Sequence, residues 1–224
     1  TFVPSKLPKK FNIREKYFIY MIKKSESLRK IASEVIAKEA EALCKLSESI
    51  DDNFTQVVEL IHGIKGRVVV TGVGKSGIIA NKIVATMNST GTKAQDLHAA
   101  DAMHGDLGMV GKDDVVVVLS KSGDTVEIKN LVPYVKEIGA PIVAIVSNLD
   151  SYLAKNSDYV LYAPVDSEAC CCNLAPTVST TVHLVMGDAL AVALEKMNEF
   201  TAEDFAKVHP GGTLGEESRK LISL

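Results

Sequence analysis

Two short loops in the sequence carry residue types suited to holding an anion. Thr71-Gly72-Val73-Gly74-Lys75-Ser76-Gly77 leaves a β-branched run and enters a helical pattern. Glycines there let the main chain approach a ligand, and a helix N-terminus presents free amides with partial positive charge. Ser120-Lys121-Ser122-Gly123-Asp124-Thr125 repeats the arrangement after the strongest apolar run of the chain. Its three hydroxyls converge on a helix N-terminus, where each can donate to a phosphate. Simple N-capping accounts for one Ser or Thr but not for three.

Two other readings of the first loop compete with this one. A Walker loop fails, because its first glycine would fall on Val69. A dinucleotide fingerprint fits formally through Gly72, Gly74 and Gly77, with Asp96 near the distance of a ribose-binding acid. That pattern alone is weak, and the second hydroxyl-rich loop favours a phosphate.

Both loops need a scaffold. Short apolar runs at Val68–Thr71, Lys93–Leu97, Val115–Leu119, Ile142–Val146 and Tyr159–Tyr162 alternate with helical segments. Runs apolar on both faces fit buried parallel strands joined by right-handed crossovers. The expected fold is α/β, a five-stranded parallel sheet flanked by helices, with both loops at the carboxyl ends of strands, where ligands bind. Ahead of it, Leu28, Ile31, Val35, Ala42, Leu46 and Ile50 recur at helical spacing and predict an amphipathic arm. Asp51, Asp52 and Asn53 supply cap chemistry for a second helix through Val57, Val58 and Ile61. The division expected is a tail and helical arm over 1–64, a phosphate-binding α/β domain over 65–215 and a C-terminal tail over 216–224.

Composition narrows the function classes. With 46% apolar and 24% charged residues and a net charge of -3, the chain is an ordinary globular mixture without the basic stripe that nucleic acid requires. Cys44 and the run Cys170, Cys171 and Cys172 make neither a disulfide framework nor a zinc pattern and fit a reducing compartment. Thr1 to Phe11 interleaves prolines and lysines, unlike a signal peptide, and Val182 to Leu194 carries His183, Gly187 and Asp188, so it is expected to be a core helix and not a membrane span. A cytoplasmic location without membrane contact follows as the expectation.

The GxGKSG loop, the SxSGxT loop and His209-Pro210-Gly211-Gly212 resemble the SIS (sugar isomerase) domain, a flavodoxin-like sandwich. Four further segments resemble the D-arabinose 5-phosphate isomerases among them: His104 to Val110, Glu168-Ala169-Cys170, Ala175 to Thr181 and Met186 to Leu194. Phe200 to Ala206 extends the likeness, which covers roughly Val68 to Gly215. Where that family has Cys-Pro-Leu-Gly, this chain has Cys170-Cys171-Cys172-Asn173, and a customary Glu is shortened to Asp124. Many members carry paired CBS domains after the sugar isomerase domain, so a chain ending at Leu224 resembles the short forms or a piece of a longer one.

The resemblance implies interconversion of D-ribulose 5-phosphate and D-arabinose 5-phosphate, feeding Kdo synthesis for lipopolysaccharide or capsule. It implies catalytic positions at Lys75, Glu127, Glu168 and His209, and phosphate or substrate positions at Gly74, Ser76, Gly91, Thr92, His98, His104, Ser120, Ser122, Gly123 and Thr125. It also implies an inhibitory zinc at His98, no cofactor, a nucleotide-activated Kdo as feedback ligand, and a homotetramer with sites completed across subunits.

The chemistry is a proton removed beside a carbonyl and returned one carbon over. A carboxylate does this best when burial raises its pKa towards neutrality, with a cation holding the enediolate. Glu127 or Glu168 is expected as the shuttle, His209 as the ring-opening assistant and Lys75 as the cation, without a metal. The alternatives are an isomerase of another sugar phosphate, such as a hexulose 6-phosphate, and a non-catalytic sugar-phosphate or nucleotide-sugar sensor. A DNA-binding regulator is disfavoured because the arm is neither basic nor broken into short helices.

Overall fold

In the computed structural model the described residues are 13–222, with side chains from residue 24; the N-terminal segment read as a tail lies outside them. Five strands form one parallel sheet, β1 (Val68–Gly72), β2 (Ala94–His98), β3 (Val115–Ser120), β4 (Ile142–Val146) and β5 (Tyr159–Tyr162). Their spatial order is β2-β1-β3-β4-β5. Val68 lies opposite both Ala94 and Val115, so β1 is a fully buried central strand, while β2 and β5 are partly open edges.

Alternation of side chains along each strand sorts the core into two layers. Val68, Val70, Val115, Val117, Leu119, Val143 and Ile145 face one side. There they pack against α2 (Asp52–Gly63), α3 (Lys75–Ser89) and α7 (Val178–Met197). Val69, Val116, Val118, Ile142 and Ala144 face the other, under α4 (Ala99–Ala102), α5 (Val126–Ile138) and α6 (Tyr152–Asn156). The helix after β1 and the helix after β3 thus lie on opposite faces, as right-handed crossovers running outwards from the β1/β3 boundary require. That boundary is the topological switch point.

The arm is one long helix, α1 (Ile13–Glu48). Its stripe splits in two: Ala42 and Leu46 are buried in the core, but Leu28 and Ile31 remain more than half exposed. Asp51 caps α2 as expected, its side chain accepting from the Asn53 amide. The apolar segment expected as a core helix is the middle of α7, whose Val182, Met186, Leu190 and Leu194 are buried. Gly187 on α7 lets α3 approach closely, since a Cβ there would meet the Ile83 side chain at 2.3 Å. After α8 (Ala202–Val208), the stretch from residue 216 read as a tail is instead helical, within α9 (Gly212–Ile222). Gly215 and Ser218 dock α9 on α8, with Ser218 Oγ donating to the Ala202 carbonyl at 2.6 Å. Only two small residues of α9 are buried, too few to show as an apolar period.

Candidate active site

The loops after β1 and β3 lie side by side at the carboxyl edge of the sheet, flanking the switch point. The first is built by close backbone approach. Gly74 has φ 58 and caps α3, so Lys75 and Ser76 form its first turn. A Cβ on Gly72 would strike Ser76 at 2.8 Å, and one on Gly77 would meet the Gly72 carbonyl at 3.0 Å. These three glycines press the α3 N-terminus against the strand end, which concentrates its free amides there. His98 ends β2 beside this turn, and its Cδ2 would be 3.8 Å from a Cβ on Gly77. His104 stands exposed on the connection after α4, its amide donating to the Asp101 carbonyl.

The second loop spends some of its hydroxyls on itself. Ser120 is buried and its Oγ accepts from the Gly123 amide at 3.0 Å, while Ser122 Oγ accepts from the Asp124 amide at 3.3 Å. Gly123 has φ 69, and a Cβ there would fall 2.2 Å from Ser151 Oγ. Thr125 is the N-cap residue of α5 yet makes no capping bond, and its buried Oγ1 has no protein partner. It shares that state with the buried hydroxyls of Thr71, Thr92 and Ser147, but of these only Thr125 lies in the hydroxyl-rich loop. Glu127 sits half-buried in the first turn of α5.

Glu168 is the buried charge of this edge, its side chain 2% exposed. Oε1 accepts from Lys121 Nζ at 2.7 Å. Oε2 accepts from the Thr177 amide at 2.9 Å, the Thr177 hydroxyl at 3.2 Å and the Ser179 amide at 3.2 Å, at the N-terminus of α7. Burial pushes this carboxyl up, but the Lys121 ammonium and the donors of Ser179 and Thr177 outweigh it and hold its pKa at about 2. The raised pKa expected of a buried proton shuttle is therefore not met at Glu168. Lys121 sits inside the loop singled out from sequence, but a loop lysine reads as solvated; its partner lies 47 residues away. Behind the pair, His183 is buried with neither ring nitrogen bonded, and burial holds it neutral with a pKa of about 4.

Three expected site residues are not brought to this edge. Gly91 ends the turn after α3 at φ 88, against the ring of Phe200, and Thr92 follows it, buried. Lys93 next to them accepts from the Val68 amide, which marks the amino end of β1. Asp204, Lys207 and Val208 line the same cavity as Gly91 and Lys93, so α8 sits at the amino edge. His209 ends α8, its ring stacked on Phe205 at 3.8 Å between centroids and its Nδ1 3.0 Å from the Phe205 carbonyl. The length of a five-residue strand, about 13 Å, separates the two edges. As for zinc, His98 Nδ1 lies 3.3 Å from Asp101 Oδ2, and no cluster of three or more metal-ligating side chains occurs among the described residues. Two donors from one chain do not make a closed zinc site.

Known proteins similar to the chain share its fold and much of its sequence. The arabinose 5-phosphate isomerase KdsD of Pseudomonas aeruginosa is 52% identical over 191 residues, 85% of this chain and 58% of that protein. KdsD of Escherichia coli K12 is 50% identical over 189 residues, 84% of this chain and 57% of that protein. The chain thus spans somewhat over half the length of these curated relatives. The solved structure of Escherichia coli CFT073 c3406 in complex with arabinose 5-phosphate is 41% identical, with a TM-score of 0.80 over 83% of this chain and 98% of that one. Residues 60–193, which hold both anion loops, the switch point and Glu168, match the SIS domain. With that match over more than half of its length, the chain belongs to the SIS domain family.

Proposed function

We propose that this chain interconverts D-ribulose 5-phosphate and D-arabinose 5-phosphate through an enediol, as its relatives are named for doing. The observation that carries the reading is the pair of helix N-termini at the switch point, with the orphan Thr125 hydroxyl between a glycine-gated turn and a buried Lys121–Glu168 pair. The phosphate sits between the first turns of α3 and α5, held by free amides, Ser76, Ser122 and Thr125, with Lys75 offsetting its charge. The carbonyl end then lies towards Glu127 and Glu168.

Of the two carboxylates, Glu127 takes the shuttle. It removes a proton from C1 of the ketose and returns it to C2 while the double bond moves between carbon and oxygen. A carboxylate held at a pKa near 2 is a weak base, so Glu168 works as a fixed anion that sets where the Lys121 ammonium stands against the enediolate oxygens. Proton NMR in D2O tests the assignment. Wild-type enzyme is expected to convert ribulose 5-phosphate to arabinose 5-phosphate with solvent deuterium at C2, and Glu127→Gln to lose turnover and exchange together. Exchange that survives in Glu127→Gln would hand the shuttle back to Glu168, and no turnover of any pentose phosphate would end the reading.

His209 completes the site from a neighbouring subunit of a homotetramer, assisting ring opening of the furanose. Two observations support this: its place at the amino edge of its own sheet, and the exposed stripe of Leu28, Ile31 and Ile36 on α1. Mixing an inactive Lys75→Ala with an inactive His209→Ala, after dissociation and reassembly, is expected to restore a fraction of activity. Sites wholly within one chain would restore none. A nucleotide-activated Kdo is the feedback ligand that accompanies this reading, and inhibition competitive with ribulose 5-phosphate is the outcome that supports it.

A further inference from the structure

Next to Glu168 in the chain lies a group that the isomerisation does not use. Cys170 opens a turn closed by the Asn173 amide donating to the Cys170 carbonyl at 3.0 Å. The chain curls round the sulfur, so that the amides of Leu174 and Ala175 each donate to Cys170 Sγ at 3.1 Å. Such a nest of N–H groups favours an anion. The same turn is tied to the candidate site, because Asn173 Oδ1 accepts from the Glu168 amide and the Thr177 hydroxyl accepts from the Ala169 amide at 2.9 Å. Asn173 reaches this position at φ 54, a left-handed conformation that leaves little freedom to adjust. Cys171 and Cys172 are exposed, with their sulfurs 3.6 Å apart.

We propose that the Cys170–Cys172 turn is a thiol modification site, at which a hydroperoxide oxidises Cys170 and Cys172 closes the disulfide. The backbone N–H donors of Ala175 and Leu174 lower the Cys170 thiol pKa against burial, which raises its thiolate fraction. In the first step the thiolate attacks the outer oxygen of the hydroperoxide. An S–O bond forms, the O–O bond breaks, sulfur gives up two electrons, and the leaving oxygen departs as water or alcohol after taking a proton. In the second step the Cys172 sulfur attacks, an S–S bond forms, the S–O bond breaks, and the oxygen leaves as water with the thiol proton.

Covalent geometry selects Cys172 over Cys171. Adjacent Cα atoms are about 3.8 Å apart, short of the roughly 4.4–6.8 Å that disulfides span. Residues two apart across a turn meet that span. Closing the bond takes the sulfur out of its nest and forces the turn to open, so the Asn173 clasp on Glu168 is lost. Oxidation is then expected to switch off the activity proposed above, and the effect on turnover rests on that reading.

The test separates the two. The whole chain is treated with one equivalent of hydrogen peroxide, then digested and mapped by mass spectrometry, while turnover of ribulose 5-phosphate is followed in parallel. The expected product is the 170–172 peptide roughly 2 Da lighter, with Cys44 unmodified and the mass restored by dithiothreitol. Cys172→Ser is expected to stop at a Cys170 sulfenic acid that dimedone captures, with turnover before oxidation unchanged. Iodoacetamide should alkylate Cys170 about tenfold faster than Cys44. Preferential oxidation of Cys44, or equal alkylation of all the cysteines, would overturn the site whatever the turnover shows. A disulfide that forms while turnover is unaffected would overturn its link to Glu168 and leave the isomerase reading untouched.

Discussion

The two edges of the sheet are built by opposite uses of the same materials. At the carboxyl edge, glycines at 72, 74, 77 and 123 bring backbone amides together and leave the Thr125 hydroxyl without a protein partner. At the amino edge, Gly91 has a positive φ as well, but the space its missing side chain leaves is filled by the Phe200 ring. A glycine therefore marks a place where something comes close, and only its neighbours say whether that is a ligand or the protein's own core. The contrast extends to charge. The carboxyl edge buries the Glu168 carboxylate beside a half-exposed lysine, whereas Asp204 of α8 is half-exposed and occupied in the Thr201–Asp204 capping box and by Lys207.

The sharpest way to break this contrast is to unbalance the buried pair. Lys121→Met leaves Glu168 charged without its ammonium partner, held only by the Thr177 and Ser179 donors, and should cost about 3 kcal/mol of stability in urea unfolding. Glu168→Gln should cost less, because the remaining lysine is 38% exposed and can turn to water. Equal costs would mean that the pair is not the buried charge it looks like.

Acid gives the next effect. A carboxyl held at about 2 when folded, against an ordinary 4.5, stabilises the fold fully above pH 4.5 and loses that contribution as pH falls towards 2. Unfolding free energies from urea titrations at pH 5 and pH 3 should differ by about 2 kcal/mol from this residue, and Glu168→Gln should remove that share. A free-energy difference unchanged in the variant would place the acid lability elsewhere.

The smallest effects on stability sharpen the contrast most cleanly. Thr125→Val removes a hydroxyl with no bond in the free chain, so stability should hold within about 0.5 kcal/mol, while KM for the sugar phosphate rises roughly tenfold. Thr92→Val removes an equally orphaned hydroxyl at the amino edge, and KM should not move. A matching rise in both would return Thr92 to the substrate.

Much of this was legible in the sequence for a simple reason. Buried parallel strands are apolar on both faces, so Val68–Thr71, Val115–Leu119 and Ile142–Val146 announce themselves, and β1 and β3 each extend only one residue beyond their runs. The two loops were legible because glycine and hydroxyl residues cluster there by type. What the string of residues hides is whatever depends on distant partners. Glu168 looked like a carboxylate whose pKa burial would raise, and the Lys121 ammonium together with the α7 amides reversed the sign. His209 lay outside the carboxyl edge because α7 carries the chain back along the full height of the sheet before α8 begins. Gly91 and Thr92 stood next to an apparent strand without any sign of which end of it they occupied.

Gly187 has a consequence that reaches beyond packing. It lies where α7 touches Ile83 of α3, and these two helices open, respectively, beneath Glu168 and behind the Gly74 turn. The thickness of one missing methyl group therefore bears on the spacing between the Gly74 turn and Glu168. A larger residue at 187 would push α7 away from α3 and change that spacing, so one position deep in the helix interface sets how far apart two loops at the sheet edge stand.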